Sequence, residues 1–207
     1  MLVRPFGDNL DFVNGEGKFE ISKQEVNKLP LWHFEGPIRL LETEEQFEAA
    51  AERLLQAERV GIDTETRPAF RKGQSFPVAL LQVALEDIVY LVRLNKHGMP
   101  DGFRKLLENP DIPKIGIAQR DDSRELKRDF DCQIQNTIDL NVLCRKLGYK
   151  SIGARKLCAL ILGKRISKSQ QTSNWEAPTL KSAQMAYAAT DAWICLEMYN
   201  RLQDQKA

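Results

Sequence analysis

The stretch VGIDTET, Val60 to Thr66, constrains this chain more than any other. Val60, Gly61 and Ile62 suit a buried strand, yet the strand runs directly into two acids, Asp63 and Glu65. Residues two apart project to one side of a strand, so these carboxylates sit side by side and repel each other. A fold that accepts them must place positive charge between them or let one reach water.

The periodicity around this strand changes element by element. IRLLET reads as a short strand, and TEEQFEAAAERLLQAE as an amphipathic helix opened by Thr43 and carrying Phe47, Ala50, Leu54 and Leu55 on one face. After the loop RPAFRKGQSFP, VALLQVAL and DIVYLVRL form a hairpin closed at Glu86-Asp87. PDGFRKLLENP is a short helix, IPKIGIA a strand, DDSRELKRDF a helix that begins with two acids, and TIDLNVLCRKLG a strand running into a helix. Beyond Ser151 the pattern is helical: SIGARKLCALILG, the basic loop KRISKSQQTSNWEAP, and a long helix from Thr179 to about Gln203. Strands with interspersed helices followed by a helical C-terminal half give an α/β fold, a mixed sheet flanked by helices. Residues 1–36, with their prolines and DNLDFVNGEGKF, read as an irregular arm wrapping the surface, which leaves 37–207 as the domain proper.

Composition bears on partners. Thirty basic against 29 acidic residues give a net charge of +1, so no global field draws the chain to nucleic acid or to an anionic membrane, and any nucleic-acid contact rests on local basic patches. The cysteines, Cys132, Cys144, Cys158 and Cys195, have no C-x-x-C spacing, which excludes a zinc ribbon and leaves them as reduced thiols. No apolar run has membrane-spanning length and the N-terminus lacks a signal-peptide core, so a cytoplasmic location is the expectation. LGKRISKS lacks the glycine spacing of a phosphate-binding ATPase loop.

The acids fall in three separated segments. Asp63 and Glu65 end a strand, Asp121 and Asp122 open a helix after another strand, and Asp191 lies on the last helix one turn beyond Tyr187, on the same face. Each has a plain structural reading: a solvated strand end, a helix start that favours acids, and a commonplace Tyr-x-x-x-Asp. Together they describe carboxylates converging at one sheet edge, where Mg²⁺ or Mn²⁺ would offset the repulsion.

With VGIDTET, KIGIAQRDDSRELKRDF and YAATDA behind SNWEAPTL, the chain resembles the DEDD 3′-to-5′ exonucleases, in the tyrosine-bearing branch of ribonuclease D and the Werner exonuclease. The likeness runs from about Ile38 to Leu202. It implies a ribonuclease H-like fold and places two metal ions on Asp63, Glu65, Asp122 and Asp191, with Tyr187 orienting the attacking water. Counting back from Arg128-Asp129-Phe130 favours Asp122 over Asp121 as the second-motif ligand. The activity implied is hydrolysis of single-stranded or frayed 3′ ends of RNA or DNA to nucleoside 5′-monophosphates, by two metals roughly 3.5 to 4 Å apart. A noncatalytic nucleic-acid-binding or scaffold protein of the same fold is the alternative, and the intact acid set speaks against it.

Substrate contacts are expected from Thr64 in the first motif, from the basic pairs Arg71 and Lys72, from Lys164, Arg165 and Lys168, and from Phe70 and Trp175 as stacking aromatics. Trp175 has a second reading as a packing anchor for its loop. Relatives carry helical accessory domains or a helicase beyond this region, so an accessory protein partner is a further expectation. Where relatives show Arg-Pro-Leu before the last helix, this chain has Ala177-Pro178-Thr179-Leu180.

Overall fold

The run VALLQVA becomes a strand with every residue buried, because both of its faces are covered. The structure is a computed structural model that describes residues 19–71 and 73–204. Its elements are α1 (Lys23–Lys28), β1 (Ile38–Leu41), α2 (Glu44–Leu54), β2 (Val60–Thr66), β3 (Val78–Ala84), β4 (Val89–Val92), α3 (Leu94–His97), α4 (Asp101–Glu108), β5 (Lys114–Gly116), α5 (Gln119–Phe130), β6 (Thr137–Asp139), α6 (Leu140–Lys146), α7 (Ala154–Leu162) and α8 (Ser182–Asp204). The strands form one sheet in the order β1-β4-β3-β2-β5-β6. β2, β3 and β4 pair antiparallel, while β1, β5 and β6 join in parallel, so the sheet is mixed.

Alternation along the central strands divides the apolar residues between two layers. Val60, Ile62, Leu81 and Val83 face α2, α4 and α5 through Phe47, Leu54, Phe103, Leu106 and Leu126. Leu80, Ala84 and Leu91 face the C-terminal helices through Leu157, Ala188, Ala192 and Leu196. Gly61 decides how close that second layer comes. A Cβ built there would stand 2.3 Å from the Ala192 carbonyl oxygen, so only glycine lets α8 lie against β2. Asp191, the residue before Ala192, is thereby carried to the end of β2.

The lead-in segment differs from the surface arm expected of it. Residues 1–18 lie outside the described residues, but Phe19, Ile21, Val26 and Phe34 are buried in the main core. Ser22 and Glu25 cap α1 reciprocally, which explains how five polar residues hold a helix whose one inward side chain is Val26. Phe19 stacks on Tyr149 at 4.3 Å between centroids, and Trp32 and Phe34 pack on Trp193. The segment also crosses α7's far end, where Arg165 and the 30–32 backbone exchange hydrogen bonds of 2.8 and 3.0 Å.

Two helix starts differ from those expected, that of α5 and that of α8, which begins at Ser182 rather than Thr179. α5 starts at Gln119 rather than at its acids, since Ala118 takes a left-handed conformation (φ 59°) that turns the chain into the helix without a side-chain cap. The loop before α8 is held by Arg93, a buried residue whose guanidinium donates to the carbonyls of Ala177 and Pro178, joined by Lys96 Nζ on Pro178 at 2.8 Å. Among the described residues no helix is long and apolar enough to cross a membrane.

Gly61→Ala is expected to destabilise the protein by roughly 2 kcal/mol or more through overpacking against α8. Urea denaturation checks this, and an unchanged midpoint would show that α8 retreats from β2 at no cost.

Candidate nucleic-acid-processing site

The β2 residues that follow Gly61 at a spacing of two are Asp63 and Glu65, so both project toward α8. There they meet Asp191, and carboxylate oxygens of the three lie within 4.8 Å of one another. The β2–β3 register shifts between Glu65 and Thr66, a local irregularity of the kind that re-aims side chains at a strand end.

Asp122 comes from the opposite layer. Thr64 Oγ1 donates to its Oδ1 at 2.6 Å, and Gln119 Nε2 donates to its Oδ2 at 3.2 Å. Gln119 is fixed in turn by Asp139 Oδ2, which accepts from its backbone N–H at 3.1 Å. Gly116 makes room for this arrangement, since a Cβ there would fall 1.9 Å from Gln119 Nε2. Asp121 points away, exposed and paired with Arg124 at 2.5 Å. Of the two adjacent aspartates, Asp122 is the one turned toward Asp63 and Glu65.

Electrostatics ties the four acids together. Burial, then Asp122, Asp191 and Glu65, push the Asp63 carboxyl well above its ordinary range. Burial and the charges of Asp191 and Asp122 raise Glu65 to about 9. Burial raises Asp122 to about 6 against the opposing Thr64 hydrogen bond. Burial likewise raises Asp191 to about 7, opposed by the Tyr187 phenol and by Lys168. None of the ion pairs among the described residues involves these four acids. Hard oxygen donors, close together, half-buried and in no direct ion pair among the described residues, fit Mg²⁺ or Mn²⁺.

Tyr187 lies one turn before Asp191, and its phenol is raised by burial and by the charges of Asp191, Glu65 and Asp63. Trp175 backs it, with ring centroids 6.1 Å apart. Because Trp175 has no exposed surface, it supports Tyr187 from within and cannot stack on a base. Gln82, in register with Asp63 on β3, is also fully buried, and its amide has no hydrogen-bond partner among the described residues.

Asp63, Glu65 and Asp191 open into a cleft of about 470 Å³ shared with Tyr187, Lys168 and the start of α7. Of the expected basic contacts, only Lys168 lines it. Lys164 borders a different cavity beside Trp32 and Glu197, and Arg165 Nε is committed to the Leu29 carbonyl at 2.8 Å. Arg71 is exposed after β2, as is Phe70 at 82%, and Lys72 lies outside the described residues. The cleft also contains Arg155 and Lys156, which sequence reasoning passed over because α7 reads as an apolar helix.

The family model described as 3′-5′ exonuclease matches residues 38–206. The chain belongs to that family. It is 29% identical over 206 residues to a 3′-5′ exonuclease of Arabidopsis thaliana, covering 90% of this chain and 70% of that protein. It is 34% identical over 156 residues to the bifunctional 3′-5′ exonuclease/ATP-dependent helicase of Mus musculus, covering 72% of this chain and 11% of that much longer protein. Against exonuclease 3′-5′ domain-containing protein 2 of Drosophila melanogaster the match is 36% over 134 residues, 63% of this chain and 23% of that one. The chain thus spans less than a quarter of the length of these last two relatives. The exonuclease fold itself recurs in the Aedes aegypti Nibbler EXO domain (TM-score 0.75, 24% identity, 84% of this chain and 92% of that one). It recurs also in Escherichia coli RNase D (TM-score 0.70, 22% identity, 81% of this chain and 44% of that one).

The raised carboxyls fix a pH dependence. Between the ordinary carboxylate range and the raised values, the folded state holds more protons than the unfolded one, so stability falls as pH rises through this window. With chelator present, the wild type is expected to lose stability relative to Asp63→Asn as pH goes from 5 to 9, the variant being more stable at pH 9 by about 1 to 3 kcal/mol. Urea titrations of both proteins measure the difference, and a gap that stays constant with pH would contradict the assigned repulsion.

Proposed function

We propose that this chain is a metal-dependent 3′-5′ exonuclease that removes nucleoside 5′-monophosphates from single-stranded or frayed 3′ ends of RNA or DNA. The observation that carries the reading is the convergence of Asp63, Glu65 and Asp191 within 4.8 Å at the mouth of a cleft, with Asp122 on their other flank. The family match supports the reaction class. A fold relative, Trypanosoma brucei RNase D, has been seen in complex with RNA U12, which supports a nucleic-acid strand as the cleft's occupant.

Hydrolysis adds water across the last phosphodiester bond. A bond forms from water oxygen to phosphorus, the bond from phosphorus to the 3′-oxygen breaks, and a proton reaches the departing oxygen to leave a new 3′-hydroxyl. Two divalent ions held by Asp63, Glu65, Asp122 and Asp191 would, when bound, activate the water and stabilise charge on both sides of phosphorus. The protein's own part is positional. Tyr187 remains protonated, because burial and its acidic neighbours push the phenol upward, so its hydroxyl orients the water rather than taking its proton. Lys168, exposed in the cleft and felt by Asp191, offsets charge on the terminal phosphate. Phe70, standing free after β2, offers a face to an unpaired base.

The test uses 5′-labelled RNA and DNA strands of matched sequence with Mg²⁺, Mn²⁺ or chelator. A ladder shortening from the 3′ end is expected only with metal, and Asp63→Ala and Asp191→Ala should each reduce it by at least about 10³-fold, roughly 4 kcal/mol of barrier. Tyr187→Phe should lower kcat by about 10²-fold, the cost of a misplaced reactant, while leaving metal binding intact. If the folded, metal-loaded wild type degrades neither polymer, the exonuclease reading is wrong.

A further inference from the structure

Among the described residues neither Arg155 nor Lys156, the two cations that α7 adds to the cleft, is paired with an acid, and of the two it is Arg155 that another side chain holds in place. Arg155 lies on the first turn of α7 and lines the same cleft as Asp63, Glu65 and Asp191. Its Nη2 donates to Asn27 Oδ1 at 3.0 Å, its Nε is buried without a hydrogen-bond partner, and no ion pair among the described residues includes it. A guanidinium held by a neutral amide keeps its full charge and most of its donors for a ligand.

We infer that Arg155, held by Asn27, binds a backbone phosphate of the substrate strand behind the one being cleaved. The inference rests on the exonuclease reading for the identity of the strand. Lys168, on the loop that follows α7, lines the same cleft as Tyr187 and Asp191. Arg155 stands on the wall formed by α7 and meets the chain further along. Guanidinium suits this task, since its planar fork matches two phosphate oxygens and tracks the backbone whatever the base.

The lead-in segment sets that position. α1 is double-capped, seats Val26 in the core and leaves the adjacent Asn27 on its exposed side next to Arg155. The same segment grips the chain immediately before α7, where Ser151 Oγ accepts from Ile21 N–H at 3.2 Å and the Lys150 N–H donates to Phe19 O at 3.0 Å. It grips the chain after α7 too, through Arg165. Residues 19–36 precede the span matched by the family model, 38–206, so this chain positions a cleft residue with a part that the family description does not contain.

The experiment reads binding and turnover separately. Fluorescence anisotropy, in chelator, measures the affinity of a 3′-hydroxyl RNA 12-mer and its DNA equivalent for the wild type, Arg155→Gln, Arg155→Lys and Asn27→Ala. The oligonucleotides carry either all phosphates or one uncharged methylphosphonate at each successive linkage from the 3′ end. Arg155→Gln is expected to weaken binding about tenfold, as for one charge-assisted contact, and to lower the slope of log affinity against log salt by about 0.7. Arg155→Lys should recover part of the loss. The wild type should lose about as much at one particular methylphosphonate, behind the terminal linkage, and Arg155→Gln should be indifferent to it. Asn27→Ala should weaken binding severalfold in the wild type and not at all in the Arg155→Gln background, because partners in one contact are non-additive. In metal, the same variants should raise KM with kcat within about twofold. Equal losses by wild type and Arg155→Gln at every methylphosphonate would overturn the inference, as would absence of binding by the wild type. A wild type that binds in this pattern but cuts neither polymer would instead overturn the exonuclease reading and leave the Arg155 contact standing.

Discussion

The contact between β2 and α8 is the constraint on which the rest depends. A strand in the middle of a sheet and the last helix of the chain approach until the Ala192 carbonyl occupies the space of a side chain at Gly61. The acid that follows Gly61 at two residues and the acid that precedes Ala192 are brought together by that approach. Their repulsion is then a property of the fold rather than of the loops around it. Apolar burial on both sheet faces holds together carboxyls that their own burial and their neighbours' charges push above the ordinary range.

Around this contact the support is asymmetric. Asp63, Glu65 and Asp191 stand on long regular elements whose packing leaves them little freedom. Asp122 depends instead on a relay from Asp139 through Gln119, with Thr64 completing it. Thr64 points to the opposite sheet face from its two acidic neighbours, so consecutive residues of one strand serve both flanks of the site. Tyr187 rests on Trp175, whose loop is tied down by Arg93.

Much of this was legible because it follows short periods. Alternation placed Asp63 with Glu65, helical spacing placed Tyr187 with Asp191, and the order of strands and helices gave the mixed sheet. What escaped depended on partners distant in sequence. The capping box of α1 is written in Ser22 and Glu25, but a six-residue helix is stable only where Val26 finds a core. Arg165 read as a substrate contact because a basic loop looks the same whether its carbonyl partner is solvent or, as here, Leu29. Trp175 was open to two readings, and burial chose packing. Arg155 left no signal, since its meaning comes from Asn27, 128 residues away.

The bond from the Phe34 N–H to Thr190 Oγ1 joins residues 156 apart, one position from Asp191. A chain emerging from the ribosome has made β2, with both its acids, long before α8 exists. Contacts of such high sequence separation form late, and domains fold as units. Assembly of the acid cluster therefore coincides with completion of the domain: a nascent or truncated chain that stops before α8 carries Asp63, Glu65 and Asp122 but no site. The topology makes convergence of this acid cluster a report that the whole domain has been built.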